Sequence, residues 1–240
     1  MAGNIRLSSR PAAFLGGLTA LALLIFGLTG IVRIIAGDAG TMTGGMLRFA
    51  PPERSGLPEE MYPEIGRHIT EYLTGKKSSF QYSVNSTDGE KFLFHDYEIA
   101  HMSDCRQLLF LDRIICLSAL GLGFAGLILA AGLENNIRYH FIRGGQRGLL
   151  FFGAAAAVLI VWALVNFDGF FVAFHRLAFS NELWLLNPRT DLLIRLMPET
   201  FFIHLGCRGL LAAGIWILLL ALGFCLPRRK YSGKEKAAET

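Results

Sequence analysis

Four long apolar segments constrain the fold of this chain more than any other feature of its sequence. They cover residues 11–35, 108–133, 149–167 and 209–226, and each is about 18–26 residues long. A hydrocarbon core about 30 Å thick needs roughly 20 helical residues to cross it. Backbone polar groups inside lipid must bond to one another, so each segment is expected to be a helix. The sequence therefore predicts an α-helical membrane protein with four transmembrane helices.

The composition and the small residues of these segments agree with that class. Hydrophobic residues make up 52% of the chain and charged residues 18%, whereas a soluble domain carries about 25% charged residues. Gly121, Gly123, Gly126 and the run 153–157 are suited to close packing between membrane helices. The first apolar segment follows Arg6 and Arg10, as a signal peptide would. Its length exceeds the 7–15 apolar residues of a signal peptide, which favours a retained helix.

The loop charges predict the orientation of the helices. The N-terminal arm, residues 134–148 and the tail hold ten basic and three acidic residues, a net charge of +7. Residues 36–107 hold seven basic and eleven acidic residues, a net charge of −4. Because Lys and Arg concentrate in short cytoplasmic loops, both termini are expected to face the cytoplasm. The net charge of +4 forms no basic stripe with interleaved aromatic residues, so no nucleic-acid partner is predicted.

The predicted organisation has nine consecutive segments. They are a cytoplasmic arm (1–11), the first transmembrane helix (12–35), an extracytoplasmic segment (36–107), the second helix (108–133), a cytoplasmic loop (134–148), the third helix (149–167), an extracytoplasmic motif segment (168–208), the fourth helix (209–226) and a cytoplasmic tail (227–240).

The first outer segment is predicted to be a small mixed α/β region inserted between helices 1 and 2. Residues 36–57 are rich in Gly, Met and Pro and are expected to be irregular. Residues 58–74 have apolar positions at helical spacing and are stopped by Gly75. The turn residues Asp88 and Gly89 lie between the apolar runs 80–84 and 92–94, which predicts a hairpin.

Titratable residues concentrate just before the second transmembrane helix. His101, Cys105 and Asp112 share one helical stripe if that helix starts near Glu98, and Glu98 and Asp104 flank His101. Acids at a helix start also have a purely electrostatic explanation, since the macrodipole favours them. An ionisable group at a membrane edge is nevertheless a functional candidate. We therefore expect a role for His101.

The second outer segment repeats this feature with His175. His175 is flanked in the sequence by phenylalanines and is followed by Asn181, Trp184 and Asp191. Most of these aromatics fit an interfacial belt, but His175 is predicted on the same side as His101. His68 and His95 have no special context and are expected at the surface. Cys105 and Cys207 are both predicted near the outer face, where a disulfide is conceivable.

Two motifs carry a family resemblance. Glu98, His101, Met102 and Asp104 form the pattern E-x-x-H-M-x-D. The second motif is F-H-x-x-x-F-x-N-x-x-W-x-x-x-P-x-x-D-L-L-I, which begins at Phe174. Both resemble the lipoprotein intramolecular transacylase family, as do the P-x-x-F-F pattern at 198–202 and the four-helix layout. The resemblance covers about residues 12–226. Cys105 departs from it, because an aliphatic residue is expected there.

The resemblance implies an acyl transfer within a bacterial lipoprotein. The sn-2 acyl chain of the diacylglyceryl group moves to the α-amine of the N-terminal cysteine, which leaves a lyso-form lipoprotein. The implied partners are diacylglyceryl-modified lipoproteins and the phospholipid bilayer, with no cofactor and no metal. The implied site has three sets of residues. They are the catalytic His101 and His175, the supporting Glu98, Asp104 and Asp191, and the substrate-binding Met102, Phe174, Asn181 and Trp184.

The same chemistry suits the residues considered alone. Aminolysis of an ester needs a base, an oxyanion donor and a proton for the leaving oxygen, and histidine transfers protons near neutral pH. We expect His101 as the base, oriented by Glu98 or Asp104, and His175 as the donor, with the two roles exchangeable. Acceptor and donor are on one molecule, so no acyl-enzyme is required. Cys105 as a covalent nucleophile is the alternative.

Other classes stay open at this point. A metal hydrolase could use His101, His175 and Asp104 as zinc ligands, although no tight ligand spacing such as H-E-x-x-H occurs. A serine hydrolase lacks the G-x-S-x-G motif. A non-enzymatic membrane scaffold would use the external hairpin for binding, and would then tolerate replacement of either histidine.

Overall fold

The structure, a computed structural model, describes residues 7–86 and 89–225. The predicted hairpin residue Asp88, most of the N-terminal arm and the tail at 227–240 lie outside the described residues. The helices are α1 (Ser9–Gly37), α2 (Ala39–Phe49), α3 (Pro52–Ser55), α4 (Tyr62–Leu73), α5 (Asp96–Ala131), α6 (Asn135–Val165), α7 (Phe167–Ala178), α8 (Leu192–Leu196) and α9 (Glu199–Cys225). A short 3-10 helix at Glu59–Met61 precedes α4, and the strands β1 (Ser83–Ser86) and β2 (Gly89–Phe92) pair antiparallel.

Four helices in the described part of the chain are long and apolar enough to cross a membrane, namely α1, α5, α6 and α9. The mostly helical architecture with four such helices and a small two-stranded sheet agrees with the predicted class. Each helix extends beyond its apolar stretch. The segment 134–148, expected to be a loop, is helical from Asn135 onward.

The chain forms two compact units. One unit, the apolar unit, comprises the described residues within 7–30, 114–162 and 211–225. The other, the motif unit, comprises residues 31–86, 89–113 and 163–210. All residues of both sequence motifs lie in the motif unit.

Close backbone contact between α1 and α6 characterises the apolar unit. A Cβ atom on Gly144 would lie 1.8 Å from the Ala13 carbonyl oxygen, and one on Gly16 equally close to that of Phe141. Only glycine permits this approach, which is how small residues bring membrane helices together. Gly126 likewise contacts Thr19.

The end of α5 is capped by a side chain from α6. Arg138 donates through Nε to the Ala130 carbonyl at 3.0 Å, and through Nη2 to those of Ala131 and Leu133 at 2.7 and 2.9 Å. The last carbonyls of a helix lack partners within the helix. Arg138 supplies the missing hydrogen-bond donors, and its positive charge is attracted to the negative end of the helix dipole.

The prediction of an irregular segment at 36–57 was wrong, because α2 and α3 form there. Asp38 caps α2 by accepting the Thr41 N–H at 2.8 Å. Met42 and Met46 lie one turn apart and are buried in the core of the motif unit. Gly45 leaves room for the ring of Phe201, from which a Cβ atom would be only 2.4 Å away. Capping and burial of this face therefore outweigh the low helix propensity of its glycines.

The helix predicted at 58–74 is confirmed as the 3-10 turn followed by α4. Gly75 follows the helix with φ +83°, the left-handed conformation that commonly ends a helix. The predicted hairpin is also present, but its strands lie at 83–86 and 89–92. The aromatic rings at the ends of the predicted runs, Phe80 and Phe94, are instead buried in the core, with centroids 4.7 Å apart.

His68 was expected at the surface, and this was wrong. It is 4% exposed, and its Nε2 lies 2.8 Å from the Phe80 carbonyl oxygen. Burial lowers the pKa of His68 below its ordinary value, so the ring is neutral at pH 7 and holds the segment leading into β1 against α4. His95, by contrast, is exposed as expected.

Candidate active site

The two predicted catalytic histidines meet in the motif unit. His101 lies in the second turn of α5 and His175 near the end of α7, and their ring centroids are 6.3 Å apart. Each residue is only 8% exposed. Phe179 packs beside both rings, with centroid distances of 5.2 Å to His101 and 5.5 Å to His175. Two segments about 74 residues apart in the sequence thus bring two imidazoles into one apolar enclosure.

The backbone of α7 fixes the protonation pattern of His175. Its Nδ1 lies 2.7 Å from the Phe171 carbonyl oxygen, one helical turn earlier. A carbonyl only accepts hydrogen bonds, so Nδ1 carries the hydrogen and Nε2 of the neutral ring carries a lone pair. Burial lowers the pKa of His175, although the bond to Phe171 acts in the opposite direction. At neutral pH the ring is therefore a neutral proton acceptor at Nε2.

Aromatic side chains surround His175. The ring centroids of Phe171, Trp184 and Phe174 lie 3.9, 4.9 and 5.3 Å from that of His175. Phe174 is 49% exposed, so it forms the open side of this aromatic group. These rings exclude water from the imidazole and present an apolar surface at its edge.

His101 has one nitrogen engaged and one free. Its Nε2 lies 3.6 Å from Cys105 Sγ, one turn further along α5. Its Nδ1 is buried and has no hydrogen-bond partner within the described residues. Leaving a buried polar atom unpaired costs about 1–3 kcal/mol, so this nitrogen is a candidate for bonding to a polar group of a substrate. Cys105 and Cys207, for which a disulfide was conceivable, are both free thiols.

Asp104 contacts the loop that follows α7. Its Oδ2 accepts the Asn181 Nδ2 hydrogen at 2.8 Å, while Asn181 Oδ1 accepts the Leu183 N–H at 3.1 Å. The second bond fixes which end of the amide faces Asp104. The Asn181 carbonyl accepts the indole hydrogen of Trp184 at 3.0 Å. Asn181 thus links α5 to the tryptophan that packs on His175.

Replacing Asn181 with alanine is expected to lower the transfer rate about 2–10-fold. An exposed neutral amide contributes about 0.5–1.5 kcal/mol through its bond, and its loss frees the Trp184 loop. Single-turnover rates measured on a purified lipoprotein would give this change. Asn136→Ala, in α6, is the matched control and should leave the rate unchanged. Equal rates for Asn181→Ala and the wild type would contradict a positioning role.

Glu98 and Asp191 form the scaffold behind the histidines. Glu98 is fully buried, and its Oε2 and Oε1 accept the N–H groups of His95 and Leu193 at 2.8 and 2.7 Å. Asp191 accepts the Tyr97 hydroxyl at 2.6 Å and the Asn187 N–H at 2.7 Å. Both carboxylates therefore tie the start of α5 to the segment that begins α8.

The bonds around Asp191 also determine its charge. Burial opposes its ionisation, but hydrogen bonds from Thr190, Tyr97 and Asn187 lower the pKa of the carboxyl below its usual value. Asp191 is therefore ionised throughout the neutral range. Its negative charge stays in place because three donors replace the water that burial removes.

The remaining predicted site residues divide between the site and the core. Phe174, Asn181 and Trp184 lie around His175 as described above. Met102 is 3% exposed and belongs to the core cluster of the motif unit, so it packs the scaffold. The Phe171 carbonyl was not singled out from the sequence, although its spacing of four residues from His175 in a helix was available as a signal. Within the described residues, no three side chains of His, Cys, Asp or Glu converge as a metal-binding group.

Four long apolar helices and a buried histidine pair define an integral membrane protein equipped for proton transfer. The profile of the lipoprotein intramolecular transacylase family, Lit, matches residues 17–202. That range covers most of the chain, and the chain therefore belongs to this family. It is an integral membrane acyltransferase that catalyses intramolecular lipoprotein transacylation. The scaffold and metal-hydrolase alternatives are not favoured.

Solved structures share the fold. The lipoprotein intramolecular transacylase Lit from Bacillus cereus superposes with a TM-score of 0.68 at 18% identity, covering 96% of this chain and 100% of that chain. A histidine-to-arginine variant of the same protein gives a TM-score of 0.67 at 20% identity, with 94% of each chain covered. A histidine-to-alanine variant gives 0.60 at 19% identity, covering 97% of this chain and 96% of that one. No match to this chain is found among curated protein sequences.

Proposed function

We propose that this enzyme moves the sn-2 acyl chain of a diacylglyceryl-modified lipoprotein to the α-amine of the lipoprotein's own N-terminal cysteine. The buried pair of His101 and His175 is the observation that supports this reaction. One ring offers a lone pair at a defined nitrogen, and the other offers an unpartnered nitrogen in the same enclosure. Aminolysis of an ester needs an acceptor and a donor placed in this way.

We assign the role of general base to His175. The fixed hydrogen on Nδ1 leaves Nε2 free to take a proton from the attacking amine. Sequence considerations alone favoured His101 for this role and left the exchange open. The tautomer of His175 supports the opposite assignment, with His175 as the base. A backbone carbonyl, and no carboxylate, holds this tautomer.

His101 acts in this scheme as the donor to the oxyanion. If the Cys105 thiol donates its hydrogen to Nε2, the neutral ring carries its own hydrogen on Nδ1. That N–H is then buried without a partner among the described residues and can stabilise the negative oxygen of the tetrahedral intermediate. Glu98, with both oxygens occupied by backbone N–H groups, positions the start of α5 and does not orient the ring.

The proton balance of the reaction closes with these two groups. The neutral form of the α-amine attacks the ester carbonyl, and the new C–N bond forms as His175 Nε2 takes a proton from nitrogen. The carbonyl oxygen becomes the oxyanion held by His101. When it collapses, the bond between carbonyl carbon and sn-2 oxygen breaks, and His175 returns its proton to that oxygen. The products are an amide and a free glycerol hydroxyl, and both histidines regain their starting state.

Acid is expected to remove the general base only below pH 6.5, whereas protonation of the substrate's α-amine, whose ordinary pKa is about 8, lowers the rate already near neutral pH. Burial lowers the pKa of His175, so Nε2 becomes protonated, and the base is lost, as the pH falls through that lowered value. Trp184→Ala opens the ring to water, which should raise this pKa and shift the acid limb of the rate profile to higher pH. Single-turnover rates of the wild type and of Trp184→Ala, measured between pH 4.5 and 8, give the pH at which each enzyme loses activity. A shift to lower pH in Trp184→Ala would contradict the assignment.

Cys105 is expected to be dispensable as a nucleophile. In the proposed scheme it only bonds to His101 Nε2, so Cys105→Ala should lower the rate less than about tenfold. The measurement is the transfer rate together with intact-protein mass spectrometry of the enzyme during turnover. A covalent mechanism would instead show an acylated enzyme in the wild type and no transfer in the variant.

We further propose that the protein lies in the bacterial inner membrane with both termini in the cytoplasm. The net charge of +7 on one set of loops against −4 on segment 36–107 supports this orientation, by the preference of Lys and Arg for cytoplasmic loops. The inserted region between the first two spans and the motif segment 168–208 would then both be extracytoplasmic. Such a location brings the histidines to the outer leaflet, where a lipoprotein presents its N-terminal cysteine and glyceryl ester. Labelling of single cysteines introduced at Glu59 and Arg147 would show opposite accessibility from outside the cell.

A further inference from the structure

Three arginines surround a cavity in the motif unit that the histidine site does not use. The cavity has a volume of about 200 Å³ and is lined by Arg33 from α1 and by Arg106 and Arg113 from α5. The other lining residues are Ala36, Leu73, Thr74, Gly75, Leu109 and Phe110. Among the described residues, the lining is thus strongly cationic and contains no carboxylate.

None of the three guanidinium groups forms a close ion pair within the described chain. The ion pair found there joins Lys77 to Glu71, and none of the three arginines has a carboxylate oxygen within 4 Å. Asp112 is close enough to attract Arg33 electrostatically, yet its Oδ2 is buried without a hydrogen-bond partner. Asp112 therefore offsets part of the charge at Arg33, and the charges of Arg106 and Arg113 are left for a ligand to balance.

Two of the guanidinium groups are held in place. Arg106 stacks on the Tyr72 ring at 5.0 Å and donates through Nη1 to the Ser78 carbonyl at 3.4 Å. Arg33 donates through Nη1 to the Leu109 carbonyl at 3.5 Å. Each guanidinium has five N–H donors, so most remain free to bind an anion. Preorganised arginines bind phosphate in bidentate fashion and more strongly than mobile ones.

The position of the cavity favours a lipid as the source of the anion. Arg33 and Arg113 lie within the predicted spans 12–35 and 108–133, close to one end of each. Headgroup phosphates lie at this depth of a bilayer. Positive residues at the end proposed to be outer oppose the orientation rule, so their convergence on one cavity calls for a compensating anion. Arginines that merely extend towards bulk lipid would not need to surround a cavity.

We propose that this cavity binds a phosphate group, with the phosphodiester of an anionic phospholipid as its source. The diacylglyceryl group of a lipoprotein has no phosphate, so the site is separate from the acyl-transfer chemistry. Bound in this way, a lipid would hold α1, α5 and the end of α4 together. The inference concerns lipid binding alone and does not depend on the proposed acyl-transfer reaction.

The test is native mass spectrometry of the full-length protein released from nanodiscs that contain phosphatidylglycerol. Wild type and the control Arg54→Gln, an exposed arginine of α3, should retain one phosphatidylglycerol. Arg33→Gln and Arg113→Gln should each weaken its binding about tenfold or more, the usual effect of losing a charge-assisted bond. Arg106→Lys keeps the positive charge but loses the bidentate guanidinium and its stacking on Tyr72. It should weaken phosphatidylglycerol binding less than the two Gln variants do. Arg113 is exposed, so its replacement removes no packing, and a thermal unfolding curve checks that each variant is folded.

Parallel samples distinguish the sources of phosphate. Nanodiscs with diacylglycerol in place of phosphatidylglycerol should give no retained lipid. Inorganic phosphate titrated into lipid-free protein in detergent should bind weakly and depend on the same arginines. Binding of inorganic phosphate without retention of phosphatidylglycerol would overturn the lipid source, and retention that is equal in wild type, Arg33→Gln and Arg113→Gln would overturn the site.

Discussion

Replacing His175 with alanine is expected to lower the rate of acyl transfer by about 10²–10⁴-fold, the contribution of a positioned general base. The Phe171 carbonyl holds the ring so that Nε2 is the acceptor, and no second acceptor in the enclosure has its tautomer fixed in this way. The substrate would still bind, because Phe174 and Trp184 remain in place. The loss should therefore fall on the catalytic rate more than on substrate affinity.

Mass spectrometry of the N-terminal peptide of a lipoprotein measures this effect. The chain is co-expressed with a diacylglyceryl lipoprotein in a host that lacks N-acylation, and one acyl chain should move to the cysteine nitrogen at unchanged total mass. His101→Ala should show a loss of similar size, because in the proposed scheme its N–H stabilises the oxyanion. His140→Ala, which changes a histidine outside the motif unit, is the control and should be fully active. Normal transfer by well-expressed His175→Ala would remove this residue from the mechanism.

Replacing Glu98 with alanine is expected to lower the free energy of unfolding by about 2–6 kcal/mol. The carboxylate accepts two buried backbone N–H groups, those of His95 and Leu193, and each would be left unpaired at a cost of about 1–3 kcal/mol. The loss also removes a negative charge from the start of α5, where the helix dipole favours it. Thermal unfolding of the protein in nanodiscs would show the change as a lower midpoint.

A second variant separates this scaffold role from catalysis. Glu98→Gln keeps one acceptor oxygen, so it should recover part of the stability and most of the activity at low temperature. Glu59→Ala, an exposed acid in the 3-10 turn, is the matched control and should leave the midpoint unchanged. A folded Glu98→Gln enzyme with a rate loss of 10²-fold or more would show instead that Glu98 takes part in the chemistry.

The long helices were predictable from the sequence because a helix that crosses a bilayer needs about 20 consecutive apolar residues, and such runs are visible in the sequence. The irregular assignment of residues 36–57 failed for a different reason. Its glycines are poor helix formers when considered locally, but Gly45 packs against Phe201, a residue far along the chain. His68 was misjudged similarly, since its partner is the carbonyl of Phe80, and a backbone acceptor twelve residues away, outside the helix, leaves no signature in the sequence.

The sequence predicted that His101 and His175 would lie close together, but it did not predict that Met102 packs in the core or which groups the carboxylates bond. His101 and His175 were identified because ionisable residues beside apolar segments are costly without a purpose. The sequence could not distinguish a carboxylate that bonds to a ring from one that bonds to a backbone. Glu98 lies three residues before His101, yet its oxygens face His95 and Leu193, and only the packing of α8 against α5 determines that choice.

The bond between His175 and the Phe171 carbonyl has a consequence for where such an enzyme can operate. In many hydrolases an ionised acid holds the catalytic imidazole, and that acid needs water or donors to remain charged. Here a peptide group of the same helix holds the ring, so the resting pair of partners is electrically neutral. A neutral pair loses little solvation when it is surrounded by hydrocarbon. The proposed base can therefore lie beside the fatty chain of the substrate, and no counter-ion has to be buried with it.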